Sequence, residues 1–310
     1  MRQEIEISKT EFNSFYEPII KSYNKDFIFL FEEHQKLLDL LFGKLAKVTI
    51  QDLYNFINSS KNNFLNAYLY RLIGIREIIY CRENKFDLSI KDVWEWIKNS
   101  IILIPDQIIS TIGSQGFLSI PLYKYESGDD KSRFDFIRLH IWDDSLDEYM
   151  DLEKNKDFSI HTHTFFAQSW ILTGSVINNT FDYEINSENS QYSFFKIQYN
   201  DSLNEVNQHT SVAVNEEIDV ELQQTSKEIH FAKGYYFVKQ GKLHQSGHLS
   251  SPEASATFFS FTGKDGLTNS SIVIGPKSIK LSEINRKVNI SPIKLLEKID
   301  LQIKKNINHE

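Results

Sequence analysis

Three histidines are spaced so that they could share one ion. In Ser159-Ile-His161-Thr-His163 two imidazoles stand two residues apart, and on a β-strand that spacing sends both to one face of the sheet. Two ligands on one strand need a third from elsewhere. His244 offers it, in a Gly-rich stretch just after the apolar run Tyr235–Val238. Neutral imidazole suits Fe, Zn, Cu, Ni or Mn, and three such ligands leave positions open for substrate or O₂. A bare His-x-His pair is a weak sign, because two strand histidines also serve as surface residues or as a satisfied polar pair. Arg138 and His140 share parity on Phe136-Ile-Arg138-Leu-His140-Ile-Trp142, with Ile137, Leu139 and Ile141 on the other face. If the apolar set packs inward, Arg138 and His140 can face a cavity, where a planar guanidinium suits a substrate carboxylate. The alternative is a solvent-facing edge. His248 reads either as a proton-accepting neighbour of His244 or as an exposed loop histidine. Tyr183, Tyr235 and Tyr236 are candidates for an acidic hydroxyl. His34, His209, His230 and His309 have no partners in the sequence pattern and are expected at the surface.

Composition removes several classes of function. A chain of 310 residues with 41% hydrophobic and 25% charged residues has the material for two globular domains, which sets aside disorder, collagen and coiled coil. Lys and Arg total 34 against 42 Asp and Glu, a net charge of −8. A chain this acidic has no bulk field for nucleic acid or anionic membrane, so neither is an expected partner. A single cysteine, Cys81, excludes an internal disulfide and a cysteine-based metal cluster. The first residues, MRQEIEISKTEF, lack the apolar core of a signal peptide, and no apolar run reaches the roughly 18 residues of a membrane span. A cytoplasmic location is the expectation. The acidic group Asp143, Asp144, Asp147 and Glu148 lacks EF-hand spacing and reads as a solvated turn. No Walker A, GxGxxG or GxSxG pattern occurs, which argues against the common routes to nucleotide binding and serine hydrolysis.

The elements that must position these residues differ between the two halves. From about Lys9 to Ser110 the apolar residues recur at helical steps, as in Phe27, Leu30, Leu37, Leu38, Leu41 and Leu45. Thr49-Ile-Gln-Asp52 and Ser89-Ile-Lys-Asp92 read as N-caps, and a further helix is expected over Asn63–Tyr80. The cluster Gly113-Ser114-Gln115-Gly116 breaks the pattern, and the period then changes. Phe134–Trp142, Ser169–Ile177, Tyr192–Tyr199, Ser211–Leu222, Tyr235–Val238 and Ala256–Phe261 read as strands bounded by turn residues. Six or more short strands without crossover helices predict an antiparallel sandwich or barrel. Ser291–Ile307 returns to helical spacing. The expected fold class is therefore α+β: a helical domain over 1–112, a β-barrel over 117–275, and an extension over 276–310 that carries a helix.

At the histidines the sequence resembles the cupin superfamily. The first motif reads His161-Thr-His163-Thr-Phe-Phe-Ala-Gln168-Ser-Trp-Ile-Leu-Thr-Gly174, and the second Gly234-Tyr-Tyr-Phe-Val-Lys-Gln-Gly241-Lys-Leu-His244, followed by the apolar strand Ala256–Phe261. The resemblance covers roughly residues 117–275. It implies an antiparallel double-stranded β-helix whose inward histidines, His161, His163 and His244, hold a metal in the barrel mouth. There are departures. Gln168 stands where many cupins carry a metal-binding Glu, which favours a three-histidine site similar to that of the thiol dioxygenases, with Gln168 as a neighbouring amide or weak fourth ligand. The interval from His163 to His244 is long, so two or more extra strands are expected within it, and the second turn lacks its usual proline.

What the resemblance implies is a metal-dependent cupin enzyme. The first expectation is a non-haem Fe(II), O₂-dependent oxygenase on a small organic substrate, with Arg138 as substrate clamp. A Zn, Ni or Mn isomerase or hydrolase and a non-catalytic small-ligand-binding barrel are the alternatives. The resemblance also implies a homodimer.

Overall fold

The computed structural model describes residues 5–23, 30–112, 115–126, 133–186, 188–199, 210–285, 287–288 and 290–308. Phe27, His209, His309 and the pair Gly113-Ser114, all read above, lie outside them. The chain divides into two units, one of Met1–Ile108 with Leu122–Tyr125, the other of Ile109–Pro121 with Glu126–Glu310.

In the first unit a two-stranded pairing of β1 (Glu6–Ser8) with β2 (Lys47–Thr49) accompanies five α-helices among the described residues. These are α1 (Lys9–Ile20), α2 (Leu30–Phe42), α3 (Ile50–Ser59), α4 (Asn63–Asn84) and α5 (Ile90–Ile102). Local chemistry sets their starts. Thr49 and Asp52 form a reciprocal capping box at α3, and the Asn62 side chain accepts from Phe64 and Leu65 N–H at α4. At α5 Ser89 holds the N-cap position as expected, but its hydroxyl donates to Asp92 Oδ2 at 2.9 Å and makes no bond to the helix backbone. Helix α4 is buried over most of its length and runs four residues past the predicted end. Gly74 inside it has a packing reason, because a Cβ there would lie 2.7 Å from Ile97 Cδ1 of α5. His34, expected at the surface, is buried instead. Its ring stacks on Tyr16 at 3.7 Å, and its Nε2 meets Asn13 Oδ1 at 2.8 Å. A sequence pattern cannot show a partner brought by another helix.

Among the described residues the second unit is built on two seven-stranded sheets with antiparallel pairings. The first holds β3 (Thr111–Ile112), β4 (Leu118–Tyr125), β5 (Asp135–Trp142), β7 (Phe165–Thr173), β11 (Tyr235–Val238), β13 (Ser255–Leu267) and β16 (Lys287–Val288), in the order β11-β7-β13-β5-β4-β3-β16. Of β4, Leu118–Pro121 belongs to this unit. The second holds β6 (Ile160–His161), β8 (Ser175–Ile185), β9 (Tyr192–Tyr199), β10 (Thr210–Phe231), β12 (Leu243–His248), β14 (Val273–Pro276) and β15 (Leu281–Asn285). Its order is β15-β10-β8-β12-β6-β14-β9, and an added β10–β9 pairing closes six of these strands into a ring. A short helix α6 (Leu152–Asp157) precedes β6, and α7 (Ile293–Asn308) closes the chain. Trp142, Ala167, Ile171, Val176, Tyr236, Val238 and Phe259 pack into one buried cluster between residues of both sheets.

Three expectations need correction. The predicted strand Ser169–Ile177 is two strands, β7 and β8, divided at Gly174. That residue sits at φ +69°, and a Cβ on it would come within 2.6 Å of Ala254 O, so only glycine fits the turn. His244 lies within strand β12 rather than in a turn. Strand β10 continues nine residues beyond Leu222, because its polar second half pairs with β8 and needs no apolar face. Among the described residues no helix is long and apolar enough to cross a membrane.

Candidate metal centre

The two-residue strand β6 is enough to place the first histidine. His161 is the register partner of His244 on β12, so backbone pairing alone sets their side chains next to each other. Thr162 between the histidines turns the other way. Its N–H donates to Ile272 O and its hydroxyl accepts from Ile272 N–H, both at 2.8 Å. His163 lies just past the strand, where its carbonyl accepts from Gly241 N–H at 2.9 Å. The two motifs are thus tied through backbone, and the flanking imidazoles share one side.

The three rings come together with centroids 4.6 to 4.8 Å apart, and their nearest nitrogens all lie within 4.8 Å of one another. Hydrogen bonds settle which nitrogen faces inward. His161 Nδ1–H donates to Ser159 O at 2.9 Å, and His244 Nδ1 meets Asn178 Oδ1 at 3.1 Å. A carbonyl only accepts, so Nδ1 holds the proton and Nε2 carries the lone pair. His244 Nε2 then faces His163 Nε2 at 2.9 Å. Burial holds all three imidazoles below the ordinary histidine value, His163 and His244 well below it, and neighbouring imidazoles add to the effect at both. Three neutral imidazole nitrogens, two of them on rings anchored through Nδ1, are a donor set that a first-row divalent ion takes, so the residues present fit a metal.

Beside the histidines lies a cavity of about 80 Å³. Phe259 and Phe261 form one wall, with ring centroids 6.0 and 4.9 Å from that of His163. Arg138, His140 and Trp142 of β5 line another. This answers the parity question: the even-numbered residues of β5 take the cavity side. The Arg138 guanidinium lies over the Phe136 ring at 4.2 Å and donates to Ser119 Oγ at 3.2 Å. His140 is stacked between Phe117 and Phe259, at 4.1 and 5.0 Å, and burial and then Arg138 hold its imidazole well below the usual value.

Gln168 is not brought to this group. On β7 it pairs in register with Ser260 and Phe237, while its neighbours Ala167 and Ile171 belong to the buried cluster with Phe259. A one-residue offset along a strand reverses the face, and Gln168 does not line the cavity. An amide does stand there, from a residue that the motifs do not include: Gln115 Nε2 is 3.0 Å from His161 Nε2. Its place in a Gly-Ser breaker cluster gave no signal beyond a turn. Tyr236 lines the cavity, whereas Tyr183 and Tyr235 are exposed. His248 sits away from it, with Nε2 3.5 Å from Asp144 Oδ1. The acidic turn is structural at Asp143, which accepts from Ser145 and from Lys298 of α7. His230, expected at the surface, is half-buried, stacked on Tyr236 and paired with Glu228.

No family model and no curated protein matches the chain. Among solved structures, a variant oxalate decarboxylase from Bacillus subtilis matches over 51% of this chain and 29% of its own, at 8% identity and a TM-score of 0.24. A DMSP lyase structure matches over 58% of this chain and 69% of its own, at 10% identity and a TM-score of 0.30. The Fe(II) form of HppE matches over 74% and 94%, at 8% and 0.26. This chain therefore spans under a third of the oxalate decarboxylase, and likenesses this distant bear on neither activity nor metal.

Proposed function

We propose that the second unit is a cupin-type metal enzyme that uses Fe(II) and O₂ to oxidise a small organic substrate. The observation that carries this reading is the convergence of three neutral imidazoles, His161 and His244 buried and His163 half-buried, on one small cavity, with His161 and His244 tied back through Nδ1. Bound by these nitrogens, iron(II) would supply the one-electron chemistry that O₂ requires, and three protein ligands leave it open positions. His161, His163 and His244 are the ligands in this reading, and the anchored rings of His161 and His244 need little reorganisation to bind. Arg138 holds an anionic group of the substrate by charge-assisted hydrogen bonds. Phe259 and Phe261 exclude water from the side next to His163. Gln168 has no part in it, since its strand turns it away.

The test is elemental analysis of untagged protein purified without oxygen, beside a His161→Ala, His163→Ala double variant. Near-stoichiometric iron that disappears in the folded double variant, with substrate-dependent oxygen uptake across small acids, thiols and phenols, is the expected result. Zinc or nickel in its place would move the reading to Lewis-acid hydrolysis or isomerisation. Absence of metal from both proteins, equally folded, would overturn it and leave a ligand-binding barrel.

A further inference from the structure

The polar groups of the cavity are unevenly distributed, and the imbalance describes a ligand. Strand β5 sends Arg138, His140 and Trp142 along one wall, and residues two apart on a strand are about 6.7 Å apart. The row therefore extends about 13 Å. Arg138 brings a fork of N–H donors, and indole Nε1–H can only donate. Trp142 Nε1 and His140 Nε2 are buried without a hydrogen-bond partner among the described residues, and the two side chains are 2% and 4% exposed. Buried polar atoms in native proteins are satisfied as a rule, so a pair left open on a cavity wall points to a ligand that satisfies them. Among the described residues none that lines the cavity is acidic. An ammonium group entering it would meet a guanidinium and no carboxylate, whereas an anion would meet donors. Size adds a limit: about 80 Å³ corresponds to roughly five to eight water-sized groups.

We propose that this cavity takes a small monoanionic acid that carries a second acceptor oxygen and no amino group, a 2-oxo or 2-hydroxy acid of about six heavy atoms by the volume argument above. The carboxylate lies on Arg138, and the second oxygen accepts from Trp142 or His140. This rests on the reading of the cavity as the active site, but the binding it describes does not require the metal. It also excludes amino-acid thiols, which the three-histidine resemblance alone would have admitted.

Calorimetric titration with pyruvate, its neutral amide pyruvamide, and L-alanine tests this on protein of measured metal content and again after chelation. Pyruvate is expected to bind about ten-fold or more tightly than either of the others. Arg138→Met should abolish the preference over pyruvamide, and Arg138→Lys, which keeps the charge but not the fork, should retain part of it. Should Arg138→Met fail to fold, the wild-type ranking and the lysine variant still decide. Equal or tighter binding of L-alanine or pyruvamide, binding of none of the three, or an unchanged ranking in a folded Arg138→Met would overturn the proposal. The preference persisting in metal-free protein supports it even if the metal reading fails. Full metal with no preference defeats this proposal alone.

Discussion

Both units bury strongly polar side chains, and they treat them in opposite ways. In the helical unit Arg71 is fully buried. Its Nε donates to Ser100 Oγ at 3.2 Å, its Nη1 to Ser22 Oγ at 3.0 Å, and the guanidinium lies 4.0 Å above the Tyr23 ring. Two of its three nitrogens are thus spent on hydroxyls from two other segments, which locks α4 against α5 and the end of α1. In the second unit the imidazoles of His161 and His244 spend Nδ1 on the fold and turn Nε2 toward the cavity that they line with His163. Polar burial of the first kind specifies packing. Polar burial of the second kind leaves valence for a ligand, and it is the pattern to look for when no relative is there to point to a site.

This contrast can be broken from either side. The largest effect is expected at Arg71→Ala, which removes the guanidinium, opens a void and takes a donor away from the Ser22 and Ser100 hydroxyls. Chemical denaturation should show a loss of about 3 kcal/mol or more, with metal content per folded molecule unchanged. Loss of metal from the folded variant would contradict the division of labour drawn here. Next comes Asn178→Ala. It touches no proposed ligand atom yet frees His244 Nδ1, so competition against a chelator should show metal held about 10- to 100-fold more weakly. Unchanged retention would mean that the tautomer of His244 is not set by Asn178. The smallest effect concerns pH. Burial lowers the His34 imidazole from 6.5 to about 4. Below pH 6.5 the unfolded chain takes up a proton there that the folded chain refuses until about pH 4, so stability is lost as pH falls through that window. Melting temperatures at pH 7 and pH 5 should differ more in the natural protein than in His34→Gln; an equal difference would show that His34 is not the group responsible.

How far the sequence could be read follows from the range of each signal. The α3 capping box was legible because its partners are three residues apart, and the same spacing placed the start of α5 at Ser89 but not the missing bond from its hydroxyl to the helix backbone. His161 and His163 were legible as a pair by period, and His244 through the cupin resemblance. The cavity face of β5 was not, since parity names two faces without saying which one is inside. Gln115 and Gln168 show the limit best. The motif pointed to the amide in the conventional position, and the strand turned that one, still buried, away from the cavity while a turn residue with no pattern of its own supplied another. The break at Gly174 was hidden because apolar residues continue across it and only the positive φ marks the turn.

The register pairing of His161 with His244 also has a kinetic side. The donors lie 81 residues apart in the case of His163 and His244, and β12 must already sit between β8 and β6 before they meet. Contacts of such long range form late and slowly, so a refolding chain would complete the three-histidine cluster, and gain any ion that the cluster holds, near the end of folding. In the native state the ion's escape would depend on β6, a strand of only two residues, whose brief lifting separates the donors without unfolding the rest. Metal release and global unfolding are then two clocks, and the first should run faster.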